Sequence, residues 1–119
     1  MAGLVAQTVE DVTLSSTSIA AGADVAVATI VVDNCVCADF EITVATNTSA
    51  TEGAEVYFLK KVSGTADNKY LPLSVGKGET KTLWFPLEAG EYELHVKNND
   101  ASYAVTLTNP AKLKKYVWQ

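Results

Sequence analysis

The chain has no arginine: all nine of its basic residues are lysine, set against fourteen acids for a net charge of -5. Without the guanidinium fork, two-pronged recognition of phosphate or carboxylate lacks its usual donor. An acidic surface also repels nucleic acid and anionic lipid headgroups. Nucleotide and nucleic-acid functions are disfavoured on both counts. Histidine is nearly absent, His95 standing alone, and the only cysteines are Cys35 and Cys37 in "NCVC". A metal centre needs several more soft or imidazole ligands than this, so no cofactor or metal is expected. On a strand, residues two apart share a face, yet a bond between them closes a small strained ring. The pair therefore reads as two free thiols acting as small buried apolar groups.

Long apolar runs are missing as well. The best, "DVAVATIVV", is far below the roughly 18 residues of a membrane span. "MAGLVAQTVEDVTL" shows no basic segment leading into an apolar one, so it does not read as a secretory signal, and the product is expected to stay where it is made. Charged residues make up 19% of the chain, below the roughly 25% of an ordinary soluble domain. Part of the surface is therefore neutral.

What is present is alternation. A chain of 119 residues is the length of one domain and can bury a core without disulfides or metals. In "DVAVATIVVD" both faces are apolar, as in a covered central strand. "DFEITVAT" sets Phe40, Ile42 and Val44 against Glu41, Thr43 and Ala45, a half-exposed strand. "EVYFLKKV" continues the pattern, and "TKTLWFPL" opposes Leu83 and Phe85 to Trp84. "KYLPLSV" contains Pro72, which cannot donate to a ladder and so predicts an edge strand or a bulge. "EYELHVK" and "SYAVTLT", joined by "NND" at residues 98 to 100, read as an antiparallel hairpin. The one trace of helical spacing is Leu113 and Val117 near the C-terminus.

About seven to nine short strands at this spacing predict an all-β fold, an antiparallel Greek-key β-sandwich. Residues 10 to 109 form its core. Residues 1 to 9 and 110 to 119 carry β-formers and aromatics, and each reads as an arm or an added strand, in this subunit or in a neighbour. The arm reading predicts that removing residues 112 to 119 leaves the sandwich folded.

No candidate for chemistry stands out. His95 alternates with Leu94 and Val96, which points it outward with Glu93 and Lys97 as a solvated strand histidine. A general acid or base needs a partner and a pocket to tune it. Glu10 beside Asp11 faces opposite ways, and Glu91 with Glu93 lies on an exposed strand face, so neither pair suits a glycosidase. "GKGE" lacks phosphate-loop spacing, no calcium loop motif exists, and "NTS" at residues 47 to 49 is most simply a polar turn. The motif resemblances and terminal segments therefore carry the functional reading.

"LWFPLEAGEYELHV" resembles the tyrosine corner of immunoglobulin-like sandwiches, with Leu87, Gly90 and Tyr92 in matching places. The resemblance implies that Tyr92 hydrogen-bonds back to the corner backbone. In size and character the chain also looks like the small decoration or accessory proteins of tailed-phage capsids and tails. That likeness implies a non-enzymatic structural protein of a virion, assembled in the host cytoplasm. Its partners would be protein subunits of a larger assembly, capsid protein and copies of itself, with no nucleic acid and no membrane. "KLKKYVWQ" is the one basic, aromatic stretch, so Lys112, Lys114, Lys115, Tyr116 and Trp118, with Leu4 and Val5 at the other end, are the candidate interface. A rival places the same segment as a terminal strand on its own sandwich. The alternative function is a carbohydrate- or protein-binding β-sandwich module of an exported, extracellular bacterial protein, using Trp84, Tyr57 or Tyr70. A hydrolase or metal enzyme is disfavoured by one histidine and no spaced ligands.

Overall fold

Two pairs of segments that read as separate strands are continuous in the computed structural model, which describes residues 3 to 62 and 65 to 118. The elements in chain order are β1 (Leu4–Val12), β2 (Ser18–Ile19), β3 (Asp24–Ala45), β4 (Ala54–Val62), β5 (Thr65–Val75), β6 (Thr80–Asn98), β7 (Val105–Leu107) and β8 (Ala111–Trp118). "DVAVATIVVD" and "DFEITVAT" are the two halves of β3, while "TKTLWFPL" and "EYELHVK" are the two halves of β6. What looked like strand ends are bends. On β3 the register breaks between Val32 and Cys37, where Asn34 sits at φ 54°. On β6 Gly90 takes φ 154° at the same level, opposite Val32. A side chain is strained at that φ, and a Cβ there would meet Lys60 Cε at 3.3 Å.

The paired bends fold one antiparallel sheet, ordered β1-β8-β3-β6-β4-β5, over on itself. Residues 24 to 32 of β3 and 90 to 98 of β6 join β4 and β5 in one layer. Residues 37 to 45 of β3 and 80 to 88 of β6 join β8 and β1 in the other. The result is the expected all-β sandwich, and among the described residues there is no helix. Inward positions follow the alternation: Phe40, Ile42, Leu83, Phe85 and Leu113 from one layer meet Val56, Phe58, Tyr92, Leu94 and Val96 from the other, all buried. Phe58 packs edge-on against Phe40 and Phe85, with ring centroids 5.6 and 4.9 Å away. Such pairs add roughly 0.5–1.5 kcal/mol beyond their burial. Pro72 lies on edge strand β5, where Leu71 and Pro72 intervene between the residues paired with Val56 and Phe58.

The expected hairpin between "EYELHVK" and "SYAVTLT" does not form. β7 pairs with β2 and with the end of β3, not with β6. The reason lies in "NND", where Asn98 and Asp100 are buried clamps instead of turn tips. Asn98 donates its amide to the carbonyls of Ile19, Ala20 and Tyr103. The Asp100 carboxylate accepts from the backbone of Thr51, Glu52, Ser102 and Tyr103 and from the Thr51 hydroxyl. Two loops are tied together at one end of the sandwich. The helical spacing of Leu113 and Val117 is likewise coincidental, because β8 is a strand with Ala111, Leu113 and Lys115 turned inward.

Candidate functional site

At the corner, the Tyr92 hydroxyl donates to the Glu88 carbonyl at 2.8 Å across Gly90, and Leu87 is buried beside it. Burial raises the Tyr92 phenol above its ordinary value, keeping it a neutral donor. Leu87, Gly90 and Tyr92 together hold the bend of β6, and no reactive group is exposed by them.

His95 is less solvated than the alternation implies. Its ring stacks on Tyr57 of β4 at 5.1 Å, with Nδ1 3.3 Å from Asp24 of β3 and Nε2 2.5 Å from Glu93. Tyr57 donates to the other Asp24 oxygen at 2.6 Å, and burial followed by that bond raises its phenol. The sequence showed Glu93, but Asp24 and Tyr57 arrive through strand pairing 71 and 38 residues away in sequence. The cluster has the form of a cross-strand staple, an imidazole between two acids with the Tyr57 ring stacked on it. A depression of about 460 Å³ nearby, lined by Thr13, Ser15, Ala28 and Glu93 among others, gathers a single ionisable group. Among the described residues, no three of His, Cys, Asp and Glu stand where they could share a metal ion. Cys35 and Cys37 are free thiols at the bend of β3, and burial raises the Cys35 thiol.

The terminal candidates come together on two neighbouring strands. β1 and β8 pair antiparallel, Leu4 opposite Trp118 and Val5 opposite Val117, and β8 pairs on its other edge with Cys37–Glu41 of β3. β8 is thus interior to the sheet. Lys115 points to its buried side, with its ammonium 3.2 Å from Glu10 and 3.1 Å from Asp33. Burial alone would lower that lysine, but the bonds to Asp33 and Glu10 outweigh it and raise it. Lys112 is ion-paired with Asp11, Lys114 lies over the Tyr116 ring, and the Tyr116 hydroxyl donates to Asp39.

Cross-strand register brings these residues onto one outer face. One rung runs Asp11, Lys112, Glu41, Trp84, and the next runs Val9, Lys114, Asp39, Pro86. Beyond them lie Tyr116 opposite Cys37, and then Trp118. Three large apolar side chains on this face stand free: Val9 is 60% exposed, Trp84 55% and Trp118 64%. Between them Lys112 is ion-paired with Asp11, Asp39 accepts from the Tyr116 hydroxyl and Lys114 lies over the Tyr116 ring. The opposite outer face differs in kind: Glu55, Lys61, Lys69, Glu91, Glu93, His95 and Lys97 crowd it, with ion pairs Lys61–Glu91 and Lys69–Glu55. Val9 was not among the expected interface residues, and Trp84 was expected only as a binding residue of the alternative module. The alternation turned Trp84 outward, but the pairing of β6 with β3 and of β3 with β8, which sets it on the same face as Trp118, leaves no local signal.

No family model matches the chain, and no curated protein matches it.

Proposed function

We propose that the chain is a non-enzymatic structural protein of a virion, a capsid decoration or accessory subunit that docks on neighbouring protein subunits through the outer face of β1, β8, β3 and β6. The observation that supports this most is the asymmetry between the two outer faces. One is a lattice of ion pairs, costly to strip of water. The other carries Trp84, Trp118 and Val9 in the open, beside one Lys112–Asp11 pair and an Asp39 that accepts from Tyr116. Exposed tryptophans with tyrosine beside them are the usual anchors of protein contacts, and their energy is concentrated in a few residues. On a particle, repetition multiplies modest contacts into firm retention. The test is co-sedimentation of purified protein with particles of its native assembly that lack it. Trp84→Ala and Trp118→Ala should each weaken retention by about ten-fold or more, as hot-spot truncations do. Retention unchanged in the double variant would dismiss the face as the docking surface.

A second reading draws on the same placement. Trp84, Tyr116 and Trp118 share one sheet face, the platform a carbohydrate-binding module of an exported bacterial protein would use. A glycan array decides between them: saturable binding lost in Trp84→Ala favours the sugar, and no binding leaves the protein partner.

A further inference from the structure

The strand order ends on β1 and β5, which are built differently, while in the folded sheet residues 24 to 32 of β3 and 80 to 88 of β6 also border a single partner strand. β5 is blunted. Pro72 brings no N–H, Leu71 turns to φ 52°, the register with β4 breaks twice, and Lys69 stands on the strand. These are the devices by which proteins keep a foreign strand from adding to an edge. β1, "LVAQTVEDV", has neither proline nor lysine and one irregularity, between Ala6 and Thr8. Among the described residues nothing pairs with its far side, so a row of backbone donors and acceptors is left open there. Its two acids sit together at one end, Asp11 ion-paired with Lys112 and Glu10 3.2 Å from Lys115, both on β8.

We infer that β1 is the pairing edge of a symmetric dimer, adding antiparallel to β1 of a second copy and joining two four-stranded layers into one eight-stranded sheet. The charge pattern selects both the partner and its direction. Residues 4 to 8 carry no ionisable side chain, and Glu10 and Asp11 sit at the other end. Two copies running antiparallel each set their acidic half against the uncharged half of the mate. A parallel arrangement would stack acid on acid. An isologous contact requires this self-complementarity, and strand addition supplies its main-chain bonds. A ladder of this length makes a small interface, below the roughly 1,200 Å² of standard ones, so the dimer is concentration-dependent. The pairing uses an edge and not the outer face, and it stands whether or not that face docks on a particle.

Thr8 is exposed and lies close to the two-fold axis of such a pair, which makes a charge-swap experiment decisive. In sedimentation equilibrium the wild type should move from one chain mass toward two as concentration rises. Thr8→Asp and Thr8→Lys should each need about five-fold more protein to do so, because like charges then face one another. Mixing the two variants should restore association as a heterodimer, which also shows that both remain folded. Trp84→Ala should dimerise like the wild type. A protein monomeric at every concentration overturns the inference, as does a dimer indifferent to both Thr8 variants, not rescued by mixing, or dissolved by Trp84→Ala. A monomer that still binds particles removes this pairing alone, whereas a β1 dimer that ignores them removes the docking function alone.

Discussion

At the scale of single residues, the polar groups that matter most are buried ones the alternation could not reveal. Asp100 lay within a stretch that reads as a turn, and turn propensity was the only local signal it gave. Four backbone N–H groups, foremost those of Tyr103 and Ser102, hold its carboxyl well below the usual carboxylate range, against the opposing effect of burial. A carboxylate lowered on folding contributes stability that is whole above its unfolded value and fades as pH falls toward the folded one. Thermal unfolding of the wild type should therefore lose ground below about pH 4. Asp100→Asn should melt lower at neutral pH and show a shallower acid decline, since it has no such carboxylate to protonate. Parallel curves for the two proteins would show that Asp100 is not the group involved. Tyr92 was legible, because a glycine followed two residues later by a tyrosine is a local pattern. Tyr92→Phe removes the donor to Glu88 and leaves the ring in place, so denaturant titration should record a loss of about 1 kcal/mol with an unchanged slope.

At the scale of elements, the sequence carried the faces of the strands and missed their lengths and neighbours. Leu83 and Phe85 inward and Trp84 outward followed from the period of two. That β3 and β6 run on through Asn34 and Gly90 did not, since a positive φ in mid-strand looks like a turn until its partner bends with it. The position of β8 was equally hidden. Its partners on β3 are more than 70 residues away, as the bond from Tyr116 to Asp39 shows. Because β8 has neighbours on both edges and buries Leu113, it is structural as well as exposed on its outer face. Leu113→Ala should cost about 2–5 kcal/mol by thermal or denaturant unfolding. Deleting residues 112 to 119 should unfold the domain instead of leaving a folded sandwich, which circular dichroism of the truncated chain would report. A folded, cooperative truncation would mean that β8 is a detachable arm.

For the whole molecule, one sheet bent over a core of Phe40, Phe58, Phe85 and Leu94 leaves two outer faces of opposite character. One is crowded with ion pairs, and the other carries the exposed Trp84, Trp118 and Val9. The role proposed for this aromatic face is to seat the chain on a virion. Gradient fractionation of the native source, with the chain quantified by mass spectrometry in particle and soluble fractions, tests it most directly. The chain should band with particles in a fixed ratio to their main subunit, and the Trp84→Ala, Trp118→Ala double variant should shift to the soluble fractions. A chain found wholly in soluble fractions, or a double variant that bands as the wild type does, would contradict it.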